Sequence, residues 1–248
     1  MPPFVLKTKY AFHTLLWLLE PDAVLDVGSM DGADSKRFRA VLKRSDIVAF
    51  EANPDNFKVM SADQEIAQKR IRLVNQLVSC EEGPRSFYIQ RPDKTQHSSN
   101  RGTSSALPRT EPGMKNEEVF INSVRLDSFL DKEYPQATKI ALWIDVEGFA
   151  YEVLESMRHV ADRIHLIHVE VETRECWPGQ RLESDVLELL EGMGYILLAQ
   201  GKHDIQRDLI LVSKSWLDSA GRHRINNMMR ISNWIGPTLS RALSIFPS

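Results

Sequence analysis

Three groups of residues in this 248-residue chain have types and spacings suited to chemistry. The first is the turn VLDVGSMDGADS, where Asp26, Asp31 and Asp34 surround Gly28, Ser29 and Gly32. A missing side chain lets a turn bend sharply and lets a ligand approach backbone amides. The spacing argues against two common ligands. A dinucleotide turn needs G-x-G-x-x-G, but counting from Gly28 the later positions are Met30 and Ala33. A phosphate loop ends in G-K-[ST], and Ala33 follows Gly32 here. Three carboxylates around the turn repel phosphates and suit a ligand that carries an ammonium and a sulfonium.

The second group is one acid, Glu51, which ends the apolar run IVAF before NP. A carboxylate at such a strand-to-turn junction can accept hydrogen bonds from both hydroxyls of an adenosine ribose. The third group is larger. Asp145 and Glu147 close the run IALWIDVEG, while His168, Glu170 and Glu172 alternate along IHLIHVEVE. If both runs are extended, alternate residues share a face, so up to five titratable groups meet at one sheet edge. Like charges gathered there raise at least one carboxylate pKa, which favours a proton-abstracting base or a metal site. The expected base is Asp145 or Glu147, with Glu170 and His168 behind them. One histidine among acids is not a diagnostic ligand set, and no metal is assigned.

Elements must position these groups. Apolar runs predict strands at Ala23–Val27, Ile47–Phe50, Ile71–Val78, Ile140–Val146, Ile164–Val171, Tyr195–Ala199 and Leu209–Val212. Helical patterns fall near 34–43, 55–68, 149–160 and 183–193; in the third, Ala150, Val153, Leu154 and Met157 keep the i, i+3, i+4, i+7 spacing. Strands separated by helices imply crossovers and a parallel sheet, whereas the short link before Leu209 suits an antiparallel hairpin. The expected architecture is α/β, with one sheet, mostly parallel, and helices on both faces.

Composition sets outer limits. Lys+Arg 31 against Asp+Glu 34 gives a formal charge of -3, and so no electrostatic reason to expect a nucleic-acid partner. Cys80 and Cys176 lack C-x-x-C spacing and read as reduced thiols of a cytoplasmic protein. AFHTLLWLLEP is too short to span a bilayer, and no run of eighteen uninterrupted apolar residues occurs. Residues 1–21 read as a helical extension packed on a domain at 22–213, within which the polar stretch 91–118 is an expected lid loop over the acceptor. The tail 214–248 carries Arg222, Arg224, Arg230 and Arg241 on an amphipathic pattern that suits docking on its own domain, with a membrane-surface or partner helix as the alternative; the terminal segments are also where a homo-oligomer would form.

Several stretches resemble the FkbM-type family of S-adenosylmethionine-dependent methyltransferases. KIALWIDVEGFAYEVLESM is similar to the family's D-x-E-G segment and following helix, VLDVGSMDGADS to its first motif and AFEANPDNF to its second. VNQLVSCEEGPRSFYIQ, GTSSAL and VRLDSFL extend the likeness, which runs from about Ala23 to Val212. The resemblance implies a Rossmann-like class I fold, with a seven-stranded sheet ending in a hairpin, and O-methylation of a hydroxyl on a sugar, glycolipid or natural product. It implies that Asp26, Gly28, Ser29 and Gly32 serve the methionine end of S-adenosylmethionine, Glu51 the ribose, and Ala52 and Asn53 the adenine. Asn75 to Leu77 would frame the adenine's other edge, and Asp145 would lie beside the sulfonium or the acceptor. The rival readings are a non-catalytic binding module on the same fold and an NAD(P)-dependent oxidoreductase, the latter opposed by the missing glycines.

Overall fold

The structure, a computed structural model, describes residues 3–92, 102–109, 114–202 and 205–230. Its centre is a run of parallel strands whose residues are buried on both faces. β2 (Ala23–Val27), β3 (Asp46–Phe50), β4 (Ile71–Val74), β8 (Ile140–Ile144) and β9 (Ile164–Glu172) pair in the order β9-β8-β2-β3-β4. Continuous apolar runs such as IALWI belong there, because helices cover both sides of the sheet. β10 (Tyr195–Gln200) and β11 (Gln206–Ser213) form the expected antiparallel hairpin, with β11 lying between β10 and β9.

The main sheet has eight strands where seven were expected, because β1 (Phe4–Val5) adds a short parallel edge beside β10. The N-terminal segment is therefore part of the sheet as well as a helix packed on it. α1 (Thr8–Leu19) buries Ala11, Phe12, Leu15, Leu16 and Leu19 in the same layer as Phe38 of α2 (Ala33–Val41) and Trp143 of β8. α3 (Pro54–Ala62) and α4 (Gln64–Gln68) complete the β3-to-β4 crossover on that face. α3 starts where Asn53 caps it and Pro54 presets its first turn. The opposite layer holds α5 (Leu126–Glu133), α6 (Ala150–Glu155) and α7 (Glu183–Gly192). The predicted helix 149–160 is shorter than its periodicity suggested, since α6 gives way to a 3-10 turn at Arg158–Arg163.

Two further corrections concern the middle of the chain. The run 71–78 is not one strand. Asn75 leaves β4 to donate from Nδ2 to the Glu51 carbonyl at 2.7 Å, and β5 (Leu77–Val78) then turns to pair with another sheet. That sheet, β5-β7-β6, is built on a long hairpin of β6 (Gly83–Pro92) and β7 (Met114–Val124). The stretch 91–118 is thus strand at both ends. Residues 93–101 and 110–113 of the expected lid, like 231–248 of the tail with Arg241, lie outside the described residues. After α8 (Lys214–Ala220), residues 222–230 are helical and bury Ile225 and Met229 against the α1 layer. Among the described residues no helix is long and apolar enough to cross a membrane.

Candidate active site

From β2 the chain winds outward through β3 to β4, then returns to place β8 on the other flank of β2. The loops leaving β2 and β8 diverge there and open a crevice at the carboxyl ends of the strands, where open α/β sheets bind ligands. A cavity occupies this place. Gly28, Met30, Glu51, Ala52, Leu77 and Asp145 border it, together with Gln76, Phe87, Ser104, Ser105 and Glu147.

Glu51 organises the β3 side. It is nearly buried, and its two carboxylate oxygens accept from the backbone amides of Met30, at 2.7 Å, and Asn53, at 2.8 Å. It thereby ties the turn after β2 to the turn after β3. A carboxylate offers about four acceptor positions, so it can serve loop amides and ribose hydroxyls together. Met30 adopts φ 52°, a left-handed conformation that aims its amide at Glu51.

Four expected donor residues do not border the cavity and act behind it. Asp26 is buried in β2 and accepts from Ser29 Oγ at 2.8 Å and Ser35 Oγ at 2.6 Å. Desolvation pushes its pKa up to about 7, against the opposing pull of the serine hydroxyls. Ser29 is held by that bond. Gly32 begins α2 at φ 74°, and a Cβ there would meet Ile66 Cδ1 at 2.7 Å, so its bare face is turned to packing. Asn53 is committed twice: Oδ1 accepts from the Asp55 amide at 3.0 Å as the α3 cap, and Nδ2 donates to Ser104 Oγ at 3.2 Å. Even Gly28, which does face the cavity, is bare for another reason. A Cβ there would lie 2.0 Å from the Asp145 carbonyl oxygen.

The acids form the other wall. β8 ends at Ile144, two residues earlier than predicted, so Asp145 and Glu147 do not share an extended strand. The Asp145 amide still donates to Val27 O at 2.9 Å, and the chain then turns at Gly148, φ 71°, where a Cβ would lie 2.7 Å from the Trp177 ring. Asp145 has accessible surface, but protein surrounds it and desolvation raises its pKa to about 6, with Asp208 and Asp34 adding to the effect. Glu147 is raised to about 8 by desolvation and then by Asp145 and Glu172. Glu170 is raised to about 9 by desolvation and then by Asp145, Glu147 and Asp208. Gln206 Nε2 bridges the two, donating to Glu170 Oε1 at 2.9 Å and Glu147 Oε2 at 3.5 Å.

His168 lies behind this group, with Nε2 3.7 Å from Asp208 Oδ1. It lies one strand pair deeper, stacked on Trp143 with ring centroids 3.6 Å apart and edge-on to Phe12. Complete desolvation lowers its pKa to about 4, so it is a neutral core residue. Among the described residues no three His, Cys, Asp or Glu side chains converge to hold a metal ion.

The sequence reading missed several contributors. Asp208 and Gln206 enter because β11 starts before Leu209 and pairs Asp208 with Glu170 and Gln206 with Glu172. The apolar run alone gave no reason to extend that strand through QRD. The segment 102–109 also closes over the cavity. Ser105 exchanges backbone hydrogen bonds with Tyr88 of β6, and its hydroxyl donates to the Glu147 carbonyl. The serine pair of GTSSAL is thus a fastening between the hairpin, Asn53 and the Asp145–Glu147 turn.

The sheet is Rossmann-like, with one acid after β3 and another after β8. The chain belongs to the methyltransferase FkbM domain family, whose model matches residues 26–197. It is similar to the 2-O-methyltransferase NoeI of Sinorhizobium fredii (strain NBRC 101917 / NGR234), 22% identical over 200 residues that span 78% of this chain and 81% of that protein. Similar solved structures include a putative O-methyltransferase from Klebsiella pneumoniae, with TM-score 0.47, 12% identity and coverage of 84% of this chain and 81% of that one. Another is the N-terminal domain of EvdMO1 in the presence of SAH and D-fucose, with TM-score 0.44, 11% identity and coverage of 84% and 83%.

Proposed function

We propose that this methyltransferase moves a methyl group from S-adenosylmethionine to a hydroxyl on a sugar, glycolipid or natural product. One observation carries the reading: Glu51 presents a carboxylate to a crevice whose other ionisable lining, Asp145 and Glu147, is also acidic. Such a crevice disfavours phosphates and favours a cationic nucleoside. When bound, S-adenosylmethionine supplies a methyl group on a positively charged sulfur leaving group. Glu51 would hold its ribose, Ala52 and Leu77 would flank the adenine, and Gly28 and Asp145 would border the amino-acid end. The relative named as a 2-O-methyltransferase supports oxygen as the acceptor atom.

A hydroxyl must lose its proton as it attacks, so a base within hydrogen-bond reach is required. Asp145 fits best. With a pKa of about 6 it is mostly ionised at neutral pH and has surface accessible to a ligand, whereas Glu147, at about 8, is mostly protonated. Alignment of acceptor and methyl group would supply much of the remaining rate, since in-line displacement needs no acid at the leaving sulfur.

The test uses purified full chain with methyl-labelled S-adenosylmethionine and a panel of glycans and small alcohols. Transfer to a hydroxyl is expected, and Asp145→Asn should abolish it while S-adenosylhomocysteine still binds by calorimetry. Transfer undiminished in that variant removes Asp145 from the chemistry. A chain whose melting temperature rises with NAD and not with S-adenosylhomocysteine is no methyltransferase of this kind.

A further inference from the structure

The first turn of α1 lies outside the residues matched by the family model, yet it contacts two of the acids that act on Asp145. Thr8 Oγ1 donates to Asp208 Oδ2 at 2.9 Å. Lys9 Nζ pairs with Asp34 Oδ1 at 2.5 Å and sits 5.8 Å over the ring of Trp143, the β8 residue two before Asp145. The helix cannot drift from this position. Phe12 packs edge-on to both Trp143 and His168, and β1 fastens the preceding residues to β10.

Among the described residues, the ionisable groups that face Asp145 are mostly acids. Asp26 approaches from β2, Asp34 from α2, Glu147 from the following turn, Glu170 from β9 and Asp208 from β11. His168 is neutral. Arg37 pairs with the same Asp34 oxygen as Lys9, at 2.8 Å, and Arg109 acts on Glu147. Lys9 is the cation that acts on Asp145 itself.

We propose that the first turn of α1 supports the methyl-transfer site from behind, with Lys9 as a positioning residue whose charge offsets Asp34 and Asp145 and with Thr8 as the tie that fixes Asp208. This rests on the donor reading given above. Its physical content is that the site would hold less of its anion near neutral pH without the Lys9 charge. Removing a nearby cation makes a carboxylate harder to ionise, so the pH at which Asp145 becomes an anion rises.

The two donor-site ligands differ in charge at sulfur, and their affinity ratio therefore reads that anion. Calorimetry on the full chain would measure Kd for S-adenosylmethionine and for S-adenosylhomocysteine from pH 5 to 8.5. In the unsubstituted protein the preference for the sulfonium should grow with a midpoint near pH 6. Lys9→Met should move that midpoint up by roughly half to one pH unit, lowering the preference about twofold at pH 6.5, and Lys9→Arg should restore it. Thr8→Val should give a smaller change of midpoint. Should Lys9→Met not fold, Lys9→Gln decides by the same measurement. Superimposable profiles for the parent and the uncharged Lys9 variants overturn the role of Lys9 and leave the donor reading standing. A parent chain that binds neither ligand overturns both.

Discussion

Gly28 and Gly32 look equivalent in VLDVGSMDGADS, but they meet different neighbours, and this difference can be tested. A side chain at Gly28 would strike the Asp145 backbone, which cannot move without displacing β8 from β2. At Gly32 the neighbour is the far end of the Ile66 side chain, which can rotate. Both positions have positive φ, costing a non-glycine residue about 1 kcal/mol each. Gly28→Ala should therefore lose about 3 kcal/mol or more by urea unfolding and Gly32→Ala about 1 to 2. Equal losses would contradict the close crossing of the β2 and β8 exits. The chemistry is equally local. If Asp145 must be an anion to take a proton, transfer should rise from pH 5 with a half-maximum near pH 6 and level off above pH 7. Glu147→Gln should keep that limb, because Glu147 titrates higher; loss of the limb in Glu147→Gln would make Glu147 the base.

At the scale of elements, the segment 102–109 is fastened to β6, to the Asp145–Glu147 turn and to Asn53, which supplies one side-chain bond. Asn53→Ala removes the α3 cap and the bond to Ser104 together, so it should cost about 1 kcal/mol and weaken S-adenosylhomocysteine binding. Asn53→Asp keeps the capping oxygen and loses only the donor to Ser104. It should keep the melting temperature and still bind the ligand more weakly; unchanged affinity in both variants would mean that the Ser104 tie does not shape the site. The parallel strands and crossover helices were legible because each is an apolar run with turn residues at its ends. The β6–β7 hairpin was not, although its alternation is present: Phe87 and Ile89 face inward with Val119 and Ile121, while Phe120 is 72% exposed. What hid it was the long polar connection, which lacks the short turn that marks a hairpin. The acids at the ends of β3 and β8 were readable from position alone. His168 was misread because alternation gives a face and says nothing of depth, and its depth is set by Trp143 on the neighbouring strand.

On the whole molecule, the site works against the stability of the fold that builds it. Asp145, Glu147, Glu170 and Asp26 all titrate well above their ordinary range, at about 6, 8, 9 and 7. A group whose pKa is raised on folding favours the folded state while it stays protonated, and this contribution is lost as pH climbs through the folded value. The four acids therefore stabilise the ligand-free chain below about pH 5 relative to its state at pH 9. His13 and His168, lowered to about 4 by burial, act oppositely: the unfolded chain takes up their protons below about pH 6.5, which limits stability on the acid side. Glu170→Gln separates the two effects. Glutamine keeps an oxygen for Gln206 Nε2 and cannot ionise, so at pH 5, where Glu170 is already protonated, the variant should melt with the parent. At pH 9 it should melt several degrees higher, because the parent must then place another charge among like charges. A melting difference that is the same at pH 5 and pH 9 would mean that Glu170 does not titrate within a coupled acidic site.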